Sequence, residues 1–222
     1  DNNNVIHKAM TQNLQRPHLY RSKLIEAGRT SRTRGGDATT TRTIYGLSFD
    51  GLTQSVDTTF GGSGASPTDR TYSWWMKATE TGRNMGVFGY GHWKHEAFHL
   101  NHGNSNNIPL LWGGAGWYTY WDDTSAQDDG EWHHWMVYND VETIVDSKLY
   151  VDGTLQNVER NVTSGTVSNL NNQTQPLTIM SYQNNSNNTG RHFEGSIREF
   201  TVFSGDKTSK ASKYYNSGSA YD

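Results

Sequence analysis

The amino-acid sequence predicts an all-β protein, a two-sheet antiparallel sandwich preceded by an N-terminal arm that is extended and partly helical. Three observations carry this. Aromatic residues make up 12% of the 222, with eight Trp and twelve Tyr, while apolar residues as a whole stay at 32%. Glycine occurs 23 times. Between the glycines lie short runs in which apolar and polar residues alternate, spaced as strands joined by tight turns. Helices would call for more Ala, Leu, Glu and Lys.

A chain of this length can bury one sizeable core. With no cysteine, disulfide frameworks and Cys-ligated zinc are excluded, and stability rests on packing and sheet hydrogen bonds. No run approaches the ~18 apolar residues of a membrane span, so a soluble protein is expected. The formal net charge of −3 is unevenly placed: residues 1–42 carry eight Lys/Arg against three Asp/Glu, and residues 43–222 carry eleven against nineteen. A basic arm can meet nucleic acid or an acidic partner surface. A solvated or docking tail is the plainer reading, and nucleic acid is not an expected partner. The chain starts at Asp1 without Met or an apolar leader, as expected of a processed or trimmed product.

In order along the chain, Asp1-Asn2-Asn3-Asn4 reads as disordered, and a helical turn or two is expected from His18 to Ala27, between Pro17 and Gly28. Arg29 to Thr41, rich in Thr, Arg and Gly, reads as linker or extended arm. Residues 1–42 are thus a basic arm and 43–222 the sandwich domain. Strands are expected at 43–49, 70–78, 84–90, 95–101, 107–112, 116–121, 132–139, 146–152, 175–181 and 191–203. A short helix follows from Ser209 to Tyr215. The polar tract 183–190 reads as an exposed loop. Asp152-Gly153 marks a hairpin, because both turn residues tolerate positive φ. Trp132, His134 and Met136 alternate with His133, Trp135 and Val137, so the tandem imidazoles point to opposite faces. At least one of them is expected to be hydrogen-bonded beneath a loop.

Seven pieces then appear in a specific order: LSFDG (47–51), YSWWMKAT (72–79), VFGYG (87–91), DGEWHHWMVYND (129–140), KLYVDGTL (148–155), PLTIMSY (176–182) and FEGSIREFTVF (193–203). Together they resemble the laminin-G-like, concanavalin A-like lectin/glucanase superfamily over about residues 43–218. The resemblance implies two antiparallel sheets stacked as a jelly roll. Glucanases of the superfamily resemble one another in an E-x-D-x-E or E-x-D-x-x-E strand that sets two carboxylates on one face for retaining hydrolysis. This chain has neither spacing, so catalysis is not expected. Calcium is common in the superfamily, and pentraxin-like members place acidic ligands just after the strand that PLTIMSY resembles. Here Tyr182, Gln183 and Asn184 stand there, with no carboxylate. If calcium binds, Asp122, Asp123 and Asp128 are the better ligands, since a hard ion wants several oxygens from one flexible loop.

The stretch GHWKHEAFHLNHG (91–103) contains H-E-x-x-H at His95 to His99, the pattern of zinc proteases. That chemistry needs a helix, where residues four apart share a face. Glycines at 86, 89, 91 and 103 bracket the segment too closely for one. As a strand, His95 and His99 lie ~13 Å apart and Glu96 faces the other way. A shared zinc is not expected; a weak surface metal or pH-sensitive site at His92, His95, His99 and His102 stays as a lesser alternative.

Binding is the expected function. The stretch from Leu111 to Asp123 concentrates aromatic residues that can stack on the apolar C–H patches of sugars. In a strand, Trp117 and Trp121 face one way and Tyr118 and Tyr120 the other, and which half packs the core stays open. The candidate ligand residues are Trp117, Tyr118, Tyr120 and Trp121, with Asn184 as an amide for sugar hydroxyls. Two functions are expected: a non-catalytic, lectin-like module for a glycan or glycoconjugate, extracellular or at a cell or virion surface; or a structural or adhesion component of a virus, phage or cell-surface assembly, with residues 1–42 touching a neighbouring subunit.

Overall fold

The computed structural model describes residues 24–31, 40–60, 69–78, 84–90, 96–101, 108–114, 117–122, 129–163, 176–181, 183–185, 188–189 and 191–216. In chain order the first strands are β1 (Leu24–Ser31), β2 (Thr40–Asp50), β3 (Val56–Asp57), β4 (Arg70–Ala78), β5 (Met85–Gly89) and β6 (Ala97–Asn101). Next come β7 (Ile108–Gly114), β8 (Trp117–Trp121), β9 (His133–Asn139), β10 (Lys148–Val151) and β11 (Thr154–Leu155). The last are β12 (Val158–Thr163), β13 (Thr178–Ile179), β14 (Gln183–Asn185), β15 (Asn188–Thr189) and β16 (Glu194–Ser204), followed by the helix α1 (Ala211–Tyr215). One seven-stranded sheet has the order β1-β2-β16-β4-β9-β10-β11 and the other β12-β8-β7-β6-β5-β13-β3. Neighbouring strands in both run antiparallel. This is the jelly-roll sandwich.

Alternation within each strand builds the core. On β4, Tyr72, Trp74 and Met76 turn inward, and on β9 so do Trp135 and Val137. The opposing sheet supplies Phe88, Phe98, Leu100, Leu111 and Trp121. Trp74 lies near-parallel to Trp135, with centroids 6.4 Å apart, and meets Phe98 edge-on at 5.3 Å. Such aromatic pairs add roughly 0.5–1.5 kcal/mol each beyond the area they bury. At the hairpin after β10, Asp152 (φ 51°) and Gly153 (φ 76°) both take positive φ, the geometry of a type I′ turn, as the Asp-Gly pair predicts.

Two expectations are corrected. Residues 24–27, expected to be helical, belong to β1, which pairs with β2 from Leu24↔Leu47 to Ser31↔Thr40. Helix propensity is a weak prior, and a ladder of this length overrides it. Residues 183–185 and 188–189, expected as loop, pair as the ribbon β14-β15. The strand β12 is mostly exposed and so lacks the alternation that would reveal it.

Candidate functional site

The H-E-x-x-H stretch is strand where it is described. Phe98 and Leu100 enter the core, so His99, between them, turns outward. Glu96 lies on the core side and is 1% exposed. Its Oε2 accepts from Arg70 Nη1 at 2.8 Å, while its Oε1 accepts from the Tyr72 hydroxyl at 2.6 Å and from Asn139 Nδ2 at 2.9 Å. The Arg70 guanidinium also sits 5.1 Å above the Tyr90 ring. Burial, then the adjacent Glu96 carboxylate, raises both the Tyr72 and Tyr90 phenols. Glu96 is therefore a structural anchor between the sheets. His92, His95 and His102 lie outside the described residues. Among the described residues no group of three His, Asp or Glu could hold a metal.

On the outward face of the second sheet, strand register assembles a different set. Ala97 pairs with Trp112 and Trp112 with Tyr118, which pairs with Val162. In the next row His99, Leu110, Tyr120 and Arg160 stand side by side. Trp112 Nε1 donates to His99 Nε2 at 2.8 Å. Burial, reinforced by the nearby Arg191 charge, pushes the His99 imidazole down to about 3, which keeps that nitrogen an acceptor at neutral pH. Trp112 and Tyr118 have centroids 4.4 Å apart; Tyr118 and Tyr120 meet edge-on at 5.3 Å. The Arg160 guanidinium lies 4.9 Å over the Tyr120 ring. The result is a half-buried aromatic row with cationic groups beside it.

The question of which half of β8 packs inward is thereby answered. Trp121 is fully buried and Trp117 packs against the core, so Trp121 presents no surface to a ligand and leaves the candidate set. Tyr118 and Tyr120 face outward. Asn184 falls in β14, which pairs with neither large sheet. Asp122 is exposed at the end of β8, its amide donating to the Asn157 carbonyl, while Asp123 and Asp128 lie outside the described residues. Trp112 and Arg160 were not singled out as ligand residues, and His99, named with His92, His95 and His102 for a surface metal or pH-sensitive site, is instead buried and accepts from Trp112. The same parity rule that separates Tyr118 from Trp117 could have found Trp112, had the β7-β8 register been readable.

The tandem imidazoles do point to opposite faces. His133 Nδ1 lies 2.7 Å from Asp152 Oδ2 and its Nε2 3.0 Å from Asp129 Oδ2. With a carboxylate at each nitrogen, the doubly protonated ring is favoured, and the Asp152 hydrogen bond foremost raises the His133 pKa. His134 packs beside Trp75 with Nε2 2.9 Å from Ser73 Oγ, and burial pushes it down to about 4. Arg198 fills the same outer face of the first sheet, 5.0 Å over Trp75 and 4.5 Å over Trp132. Both histidines have structural partners.

Two stacked antiparallel sheets with this core define a lectin-like β-sandwich module. A laminin-G family model, described as Concanavalin A-like lectin/glucanases superfamily, matches residues 50–211, and the chain belongs to that family. No curated protein sequence matches the chain. Among solved structures, the CBM40 module of the Ruminococcus gnavus IT-sialidase, bound to α2,3-sialyllactose, is similar at 13% identity and TM-score 0.50, covering 71% of this chain and 88% of that one. Botulinum neurotoxin type C, whose cell entry depends on interaction with two ganglioside molecules, is similar at 13% identity and TM-score 0.51 over 89% of this chain. A candidate carbohydrate-binding protein from Bacteroides ovatus is similar at 12% identity and TM-score 0.54 over 83% of this chain. The chain spans about half of these last two structures, 47% and 53%. At such identities the likeness shows the fold.

Proposed function

We propose that the chain is a non-catalytic, lectin-like module that binds a glycan on the outward face of β7, β8 and β12, outside the cell or at a cell or particle surface. The observation that carries this is the contiguous cluster of Trp112, Tyr118 and Tyr120 on the side of the second sheet away from the core. Sugars offer apolar C–H patches to such rings and hydroxyls to nearby polar groups. The His99 hydrogen bond holds Trp112 in place, so less side-chain freedom is lost on binding. The sialyllactose and ganglioside ligands of the CBM40 module and the toxin support glycan binding on this fold. The commitment of Glu96 to Arg70, Tyr72 and Asn139 supports a role without chemistry.

The test is a glycan panel read by thermal shift, with and without calcium. A specific ligand raises the midpoint by mass action. Trp112→Ala or Tyr118→Ala is expected to lower affinity by about tenfold or more. A flat response across the panel sinks the proposal. Binding lost on chelation would bring Asp122, Asp123 and Asp128 in as a calcium loop.

One observation favours a second reading, a structural or adhesion component of a virus, phage or cell-surface assembly. Among the described residues, the strand β1 is the edge of the first sheet, paired on its β2 side alone. An edge strand can extend pairing into a neighbouring subunit. Assembly lost on deleting residues 1–42, with no glycan bound, would select this reading.

A further inference from the structure

We infer that the glycan held on this face is acidic, its carboxylate or sulfate group meeting the exposed guanidinium of Arg160 beside the Tyr118 and Tyr120 rings. The inference rests on the glycan-binding reading and adds the chemistry of the sugar. Arg160 is exposed on β12, and its contact among the described residues is the Tyr120 ring. Stacking on an aromatic face restrains a guanidinium while leaving its N–H edge open, and that edge matches the two oxygens of a carboxylate or sulfate. Asp122, two residues beyond Tyr120, forms no ion pair with it.

A second positive charge acts on the other end of this row, where burial, helped by Arg191, lowers the His99 pKa. The Arg191 carbonyl accepts from the Gly86 amide, and Gly86 pairs with His99, so Arg191 is anchored beside the row. From His99 to Arg160 the row spans three strand spacings, ~14 Å. His99 and Leu110 in this row are buried, so the surface open to a sugar is that of Trp112, Tyr118 and Tyr120, with Arg160 at its edge. The surroundings sharpen the contrast, because residues 43–222 carry eleven Lys/Arg against nineteen Asp/Glu. A net-acidic body repels anions, so an acidic ligand needs a local cationic site, whereas a neutral sugar needs none.

The experiment prints matched neutral, carboxylated and sulfated glycans on one array and probes them with the full chain, Arg160→Gln, Arg160→Lys and Tyr118→Ala. The wild type is expected to prefer acidic members, with the carboxylated and sulfated arms showing which anion is held. Arg160→Gln lowers that binding by about tenfold, and Arg160→Lys, which keeps the charge without the fork, falls between. A second reading needs no variant: raising the salt concentration weakens wild-type binding to acidic members. Neutral glycans bound best, with loss in Tyr118→Ala and no change in Arg160→Gln or with salt, would overturn this inference and leave the glycan face standing. No binding to any member overturns both.

Discussion

Neutralising Glu96 leaves the Arg70 guanidinium buried beside an amide instead of a counter-charge, in a place where both sheets contribute partners. Breaking a buried pair from one side is strongly destabilising, and here the partner side chains are 13% and 1% exposed. Glu96→Gln is expected to cost about 3–5 kcal/mol in chemical denaturation; a loss near zero would mean that the network does not bind the sheets together. The two halves of β8 give a paired prediction at the same scale. Trp121→Ala opens a cavity in the core and costs about 3–5 kcal/mol, while Tyr118→Ala costs far less stability and lowers glycan affinity by about tenfold or more. Alternation along 96–101 was enough to separate Glu96 from His99. The partners of Glu96 were beyond reach, because Tyr72, Arg70 and Asn139 stand 24, 26 and 43 positions away.

At the scale of elements, two glycines hold turns and pairings that no side chain fits. A Cβ on Gly195, at φ 139°, would collide with the Lys77 carbonyl oxygen and meet the Phe193 ring at 2.8 Å, at the start of the β16-β4 pairing. A Cβ on Gly153, at φ 76°, would press on the Ser212 backbone at 3.1 Å, where α1 packs on the β10-β11 turn. The contact at Gly153 is relieved by a shift of a few tenths of an ångström in α1, whereas the ladder beside Gly195 cannot move without losing its pairing. Gly153→Ala is expected to cost about 1–2 kcal/mol of left-handed strain, and Gly195→Ala more, by urea midpoint. Equal costs would contradict the close approach of β16 to β4. Strands with a buried face, such as β4 and β9, were legible from alternation. The edge strand β12 was not, because exposure along most of its length leaves no periodic apolar signal. Register was equally hidden, and with it the juxtaposition of Trp112, Tyr118 and Arg160.

At the scale of the whole molecule, three of the described histidines contribute to the pH dependence of stability with opposite signs on either side of their ordinary pKa of 6.5. His99 and His134 are held neutral by burial, down to about 3 and about 4, so the unfolded chain takes up protons first and stability falls as pH drops below 6.5. Each contributes a slope of about 1.4 kcal/mol per pH unit. His133 has the opposite sign: its folded pKa is raised, chiefly by Asp152, so its contribution is complete below 6.5 and is lost as pH rises through the folded value. His133→Gln is expected to flatten the alkaline limb of a stability-against-pH curve and leave the acid limb, and the reverse result would contradict the Asp129–His133–Asp152 arrangement. The sandwich itself was legible from strand spacing and the order of its landmarks, whereas the glycan face depends on contacts among strands distant in sequence. Among the described residues no helix is long and apolar enough to cross a membrane. The central claim is that a glycan lies on the outward face of the second sheet. It is tested most directly by following the tryptophan indole N–H resonances while a bound glycan is titrated in. The Trp112 resonance, hydrogen-bonded to His99, is expected to shift while those of the core residues Trp121 and Trp135 stay in place. Shifts confined to Trp132 or Trp75, on the opposite sheet, would contradict it.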